Sequence, residues 1–542
     1  MKDDEASRHP GRAGTGERAA RFLTLGMLAL LAAVLASNFF DWVSAVSFAV
    51  QYPYQIDYGE GIVWQQALMI LRGEGYSDIT RLPFVVFHYP PVFHLLSGLS
   101  ASALGIEYLA AGRLVSVVST LGSAITIGVL IFRAVGSREG RMPGLLCAFG
   151  AALIVFTFAP VAQWSPLMRV DMTAIFLSFL GVYFGLQAPE RPRYVYLGAL
   201  FFLLAMYTKQ TAFVAPLAML IVQMVIRPRL AALGVATALG LGLMGIFALQ
   251  LTTDGGFLKH VFLYNINRFE FSRLLPFIPS AIHHILYLLI VVYFLIRTFF
   301  YFTRREPGSS WIEALRHKIS SDRLDRLRCF GFIYIVLTTL SLIMMAKVGS
   351  NTNYFAEWMF AWSIAIGLFL RPPVGFALGA FGLAKRRKPA RDTGASDRSF
   401  VRFDYPVLVA ALLYQALLVQ PPLYQSIITD VAYQEQQREL LQRVREVSKP
   451  VISDNMVVVL QSGKEVVWEP AIFADLAVLD QWDEGPFIQM IRSNDFAFFI
   501  TKGQRGERLF DSRYNAPVAQ AIGAAYPRTE LLAGYVIHLP PE

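Results

Sequence analysis

Residues 22–60 read FLTLGMLALLAAVLASNFFDWVSAVSFAVQYPYQIDYGE. The stretch 22–48 carries a single charge, Asp41, and is longer than the roughly 20 apolar residues that a helix needs to cross a bilayer. It places Phe39-Phe40-Asp41-Trp42 where a signal peptide would carry a small-residue cleavage pattern, so it reads as a retained span. Directly after it come two carboxylates, Asp57 and Glu60, in the run DYGE. Carboxylates at a membrane edge are costly, and are usually kept for chemistry or transport.

The same pattern repeats along the chain. Of 542 residues 55% are hydrophobic and 16% charged, with a mean hydropathy of +0.47, far from the soluble norm. Spans are expected at 22–48, 109–132, 145–160, 171–187, 195–207, 211–226, 230–251, 281–302, 329–346, 355–370 and 406–420. The fold class is therefore an α-helical polytopic membrane protein of about eleven spans. The apolar stretches 90–105 and 372–384 are short and read as interfacial or re-entrant. If both cross, the number becomes thirteen and the parity is unchanged.

Basic residues orient the chain. With the N-terminus inside, Lys and Arg number 27 in the inner segments and 8 in the short outer loops. The N-terminus is thus expected in the cytoplasm, in the plasma (inner) membrane, and everything after 420 outside. The formal charge of +9 then reflects topology and contact with anionic lipid, and is no argument for nucleic acid. Cys147 and Cys329 are far apart and on the reducing side, so no disulfide is expected.

Four regions lie outside the spans. The tail 1–20 is polar and reads as disordered. The loop 303–328 contains a basic amphipathic helix for the inner surface, and 385–398 is a basic loop. Residues 421–542 read as a small extracytoplasmic α/β domain. A helix is expected over 430–447 and near 470–479, 485–493 and 516–525, with strands at 451–460, 464–468, 496–501 and 531–539. No phosphate-binding loop or nucleotide fingerprint occurs there, so it reads as a packing or acceptor-guiding module.

Chemistry-bearing residues gather in the expected outer loops. The first, 49–108, is long and holds Asp57, Glu60, His88, Tyr89 and His94 among aromatics; 61–75 fits a helix lying on the membrane surface. The second holds Arg169 and Asp171, at the start of a span. Lys209 stands in YTKQTAF, Arg268 in NINRFEFSR, and Lys347 with Glu357 in KVGSNTNYFAEW. Capping of a helix start and snorkelling of a lone cation are the plain explanations of each residue singly. Asp57, Glu60, Asp171 and His88 are also hard or borderline metal ligands, but no spacing among them is diagnostic.

The series DYGEG, YPPVFHLLSGLSASALG, MRVDMTAIFLSFLGV, YTKQTAF and KVGSNTNYFAEW resembles integral-membrane glycosyltransferases of the GT-C class, family 39 type. That family includes protein O-mannosyltransferases and lipid A aminoarabinose transferases. The resemblance covers roughly 22–420. It implies inverting transfer of one sugar from a polyprenyl-phosphate donor to a glycan, lipid or protein acceptor, with no cofactor and no strict metal requirement. It implies a catalytic base at Asp57 and a supporting acid at Asp171. Apart from the resemblance, a leaving lipid phosphate needs cations to stabilise it, which makes Arg169, Lys209, Arg268 and Lys347, with His88 and Tyr89 of the first loop, the substrate-binding candidates. Many relatives have two adjacent acids in the first loop. Here Tyr58 and Gly59 separate Asp57 from Glu60, which leaves open which is the base. A transporter or flippase for a lipid-linked sugar is the rival reading, and predicts charged or broken helices near mid-membrane.

Overall fold

The structure, a computed structural model, describes residues 15–266, 268–304, 308, 310–383 and 401–542. The basic loop 385–398 and most of the polar tail lie outside these; residues 15–20 already belong to the first helix.

All eleven expected spans fall on helices. A long α1 (Thr15–Gln51) leads into α2 (Gly59–Leu71) and α3 (Val92–Leu104), followed by α4 (Tyr108–Glu139), α5 (Arg141–Leu153) and α6 (Ala159–Trp164). Then come α7 (Asp171–Gln187), α8 (Tyr194–Met206), α9 (Val214–Ile226) and α10 (Pro228–Thr252). Two short helices, α11 (Gly256–Val261) and α12 (Ile278–Ile282), precede α13 (Ile285–Thr303), α14 (Trp311–Ser321), α15 (Arg323–Ser341) and α16 (Tyr354–Phe369). The bundle closes with α17 (Arg371–Leu378) and α18 (Val401–Leu417). Among the described residues six helical segments are long and apolar enough to cross a membrane, and the other expected spans are shorter apolar helices. The amphipathic helix expected in 303–328 appears as α14, opened by a Ser310–Glu313 capping box; Arg323 onward already belongs to α15.

Burial separates lipid-facing from central helices. On α10 Leu243 and Phe247 are about two-thirds exposed, as an apolar side facing hydrocarbon would be. By contrast α16 is buried on every face from Phe355 to Phe369 save Glu357, and is the core of the bundle. Ion pairs mark one end of the bundle: Arg138 to Asp322 (3.3 Å), Arg326 to Glu190 (3.3 Å) and Arg371 to Glu139 (3.2 Å). These residues come from segments expected on one side, and the outer-loop residues meet at the other end. Cys147 and Cys329 are buried and unbonded.

The C-terminal segment contains α19 (Tyr424–Thr429), α20 (Val431–Glu446), β1 (Ile452–Ser453), α21 (Met456–Gln461), α22 (Pro470–Val478) and α23 (Gly485–Arg492). Then follow β2 (Phe499–Thr501), α24 (Arg508–Asp511), α25 (Ala516–Ala525), β3 (Arg528–Leu532) and β4 (Tyr535–Leu539). The sheet order is β1-β2-β4-β3, with β1 and β2 parallel and the other pairs antiparallel. Three strand expectations need correction. MVVVLQ is helical despite its β-branched residues because the Asn455 side chain accepts the Val458 N–H and starts a helix there. Residues 464–468 make only a bridge, Trp468 to Phe84. The single strand 531–539 is a hairpin, turning at Ala533 and Gly534, both with positive φ.

This segment is fused to the first outer loop. Val85, Phe87 and Val63 share a cluster with Val458, Ile500 and Ile537, and Phe84 packs with Trp468 and Phe487. The helix expected on the membrane surface, α2, is instead buried beneath the C-terminal segment. Gly61 permits this: a Cβ there would stand 2.5 Å from Met456 Cβ and 2.8 Å from the Val457 nitrogen.

Candidate active site

Every residue of the DYGEG run has a distinct environment. Glu60, in the first turn of α2, is fully buried. Its Oε2 accepts from the Ile56 and Asp57 N–H groups (2.9 and 3.2 Å) and its Oε1 from that of Met168 (3.1 Å). Arg113 of α4 grips both oxygens, Nε to Oε1 at 2.7 Å and Nη2 to Oε2 at 2.8 Å. The other Arg113 N–H groups reach the carbonyls of Ala49, Tyr52 and Tyr54. Burial alone would raise the Glu60 pKa, but the Arg113 charge and these hydrogen bonds outweigh it and hold the carboxyl below its usual range. With about four lone-pair sites and five donors, Glu60 has nothing left for a substrate proton. It is a lock on the loop, held by Arg113 and three backbone N–H groups. Arg113 escaped the sequence reading, although an arginine one turn into an apolar span is itself a signal.

Asp57 is different. Its Oδ1 accepts from the Gly59 N–H (3.0 Å) and from Arg169 Nη1 (3.1 Å), while the side chain keeps 22% of its surface exposed. Burial pushes its pKa up, against the pull of Arg169. Arg169 also lies 5.7 Å from the Trp164 ring. Gly59 makes room for it, since a Cβ there would fall 1.3 Å from Arg169 Nη1.

Asp171 opens α7 without capping it. Its Oδ1 accepts from Lys209 Nζ (2.6 Å) and Asn353 Nδ2 (2.8 Å). Lys209 Nζ also sits 4.7 Å from the Tyr354 ring. Burial opposes the Lys209 charge, yet Asp171, the strongest attraction on it, carries its pKa upward. Tyr89 lies within electrostatic reach of Arg169, Asp171 and Lys209, so the two ion pairs form one cluster. His88 borders it: burial, with Lys347, His260 and Arg169 adding to it, holds its pKa down at about 3, so the imidazole is neutral. The His88 carbonyl accepts from Gln210 and Asn265.

Arg268 and Lys347, the other two expected phosphate ligands, have partners of their own. Arg268 is half exposed and 3.8 Å from Asp475 of the C-terminal segment. Lys347 donates to the Asn265 carbonyl at 2.8 Å and is at the rim, within electrostatic reach of Lys209. Among the described residues no three acidic, His or Cys side chains form a metal-binding group; Asp57 and Asp171 each face a cation instead.

An apolar groove of about 560 Å³ lies between α8, α9 and α10, and its lining extends to Pro90 and Gln210. Phe202, Met206, Phe213 and Leu243 line it, and Pro90, Tyr207 and Gln210 stand at its polar end, next in sequence to Tyr89 and Lys209. Several buried polar atoms around the cluster have no hydrogen-bond partner among the described residues: Arg169 Nε, Asp171 Oδ2, His88 Nε2, Gln210 Oε1 and Glu469 Oε2. Each of these atoms keeps hydrogen-bonding capacity that no other described side chain uses.

No family profile matches the chain, and no curated protein does. Solved structures do. ArnT from Cupriavidus metallidurans bound to undecaprenyl phosphate superposes with a TM-score of 0.57 at 12% identity, covering 94% of this chain and 98% of that one. Its apo state gives 0.57 at 11% identity over the same shares. The chain has the GT-C fold. Archaeal oligosaccharyltransferase AglB from Archaeoglobus fulgidus, in complex with an inhibitory peptide and a dolichol-phosphate, gives 0.46 at 11% identity, covering 86% of this chain and 69% of that one. The chain is a multi-pass membrane protein in which Asp57, Arg169, Asp171 and Lys209 converge on one end of the bundle.

Proposed function

We propose that this protein is an inverting glycosyltransferase that moves a single sugar from a polyprenyl-phosphate donor to a cell-surface acceptor, at the outer face of the plasma membrane. The observation that carries the reading is the meeting of an apolar groove with a buried cluster of two acids and two cations. In this reading the proximal part of a polyprenyl tail lies in the groove, with its phosphate beside Lys209 and Arg169.

In the proposed step, Asp57 takes the proton of an acceptor hydroxyl through its carboxylate. The acceptor oxygen forms a bond to the anomeric carbon as the bond from that carbon to the phosphate oxygen breaks. The phosphate leaves with the electron pair, and Lys209 and Arg169 stabilise its gathering charge. Asp171 holds Lys209 in place. The chemistry needs no nucleotide, since the leaving group is the lipid phosphate, and no metal, since two cations already face the site.

Purified protein in detergent should transfer radiolabel from one member of a panel of polyprenyl-phosphate sugars to membranes of the source organism. Transfer should persist in excess EDTA. A protein that binds the donor and delivers it intact across vesicles, without cleaving it, would instead be a flippase.

A further inference from the structure

Glu469 stands where the C-terminal segment meets the catalytic loop. It precedes α22 but makes no capping hydrogen bond to it. It is 5% exposed, and its Oε2 has no hydrogen-bond partner among the described residues. Two residues on, the Ala471 N–H donates to the Tyr58 hydroxyl at 3.3 Å, which pins this turn over the residue next to Asp57. Arg513, paired with Asp454 at 3.1 Å, lies 4.0 Å from the Tyr58 ring. The Glu469 carboxyl feels both Arg169, the partner of Asp57, and Arg513. A buried carboxyl with an unused oxygen is expensive; a ligand hydrogen bond offsets that cost.

Arg169 lies within electrostatic reach of Asp171 at the start of α7 and of Glu469 in the C-terminal segment. The groove between α8, α9 and α10, with Lys209 in the α8–α9 loop, serves the donor. Glu469 comes instead from the C-terminal segment, pinned to Tyr58 of the catalytic loop through Ala471. We propose that Glu469 is an acceptor-binding residue, its carboxyl holding one hydroxyl of a sugar acceptor while another hydroxyl of the same acceptor is presented to Asp57. Two carboxyls serving one acceptor suit the several hydroxyls of a glycan; the lone hydroxyl of a protein Ser or Thr leaves Glu469 unpaired. This rests on the transferase reading and adds to it the class of acceptor.

The test uses full-length wild type, E469Q and E469L with membranes of a strain lacking this protein as acceptor. The donor is the polyprenyl-phosphate sugar that gives the highest transfer from a panel. E469L should need about tenfold more acceptor membrane for half-maximal transfer, and E469Q less, because an amide still hydrogen-bonds a hydroxyl. Filter binding of labelled undecaprenyl phosphate should stay within about twofold for both, since the donor side is untouched. Neither variant should melt below wild type, since each removes a buried unpaired carboxyl. Label should appear in protease-resistant glycan.

Unchanged acceptor dependence in E469L overturns the assignment, as does an equal loss of undecaprenyl phosphate binding, which marks a structural residue. Label released by protease overturns the glycan acceptor. A wild type that binds the lipid and transfers nothing overturns the transferase reading itself, and the acceptor assignment falls with it.

Discussion

Arg113 and Arg169 each meet a carboxylate of the DYGEG run, and the consequences differ. Glu60 is saturated and Asp57 is not, so substitutions that keep shape should separate them. Asp57→Asn should cut turnover by about a hundred- to ten-thousand-fold and leave the protein as stable in detergent as wild type. Glu60→Gln breaks a buried pair, which costs about 3–5 kcal/mol, so its first symptom should be a lowered melting temperature. A stable but inactive Glu60→Gln beside an active Asp57→Asn would reverse the assignment. Glu469 adds a pH effect. Burial, resisted by Arg169 and Arg513, pushes its pKa up to about 8 from the 4.5 of a free glutamate. Below 4.5 both folded and unfolded states hold the proton and nothing changes. Between 4.5 and 8 the unfolded chain gives it up first, so stability falls as pH rises. The melting temperature of wild type should therefore decline relative to E469Q from about pH 5 to pH 8, and parallel curves would show that Glu469 is ionised throughout. Asp57, Arg169, Asp171 and Lys209 were legible in the sequence because each is a charge beside an apolar run. The lock was not, since Arg113 lies 53 residues from Glu60 and inside an expected span. Glu469 had no local signal at all.

Among elements, the short loop between α8 and α9 touches both the ion-pair cluster and the groove. It places Lys209 against Asp171 and Gln210 at the end of the groove. Lys209→Met should raise the Michaelis constant for the lipid donor and lower the turnover number together, because the same charge serves bound phosphate and leaving phosphate. Kinetics unchanged in donor titrations would mean the lysine only neutralises Asp171. The helices were readable from apolar length alone, and each expected span falls on a helix. The C-terminal strands were not, for a physical reason: Val457, Val458 and Val459 favour strand locally, but the Asn455 cap and the open face of Gly61 reward a helix. The surface placement of α2 failed likewise, since an apolar face suits a protein partner as well as a membrane.

At the scale of the molecule, the arrangement of charges makes a topological demand. The loops holding Asp57, Asp171, Lys209 and Asn353 meet at one end of the bundle, and the ion pairs of Arg138, Glu190 and Arg371 mark the other. The excess of basic residues in the segments of the second end leads us to propose that this end faces the cytoplasm. A reporter fused after residue 420 should be active outside and one fused within 303–328 active inside; a cytoplasmic signal from the C-terminal fusion would invert the whole assignment. The sharing of one core by the first loop and residues 421–542 also governs how the protein is made. Synthesis runs from the N-terminus, and domains ordinarily fold as they emerge. Here the loop bearing Asp57 emerges first and must wait, for its packing partners Val458, Trp468 and Ile537 arrive last. No ribosome-bound intermediate and no prematurely terminated product has a finished site, so quality control over this protein is written into the order of its own chain.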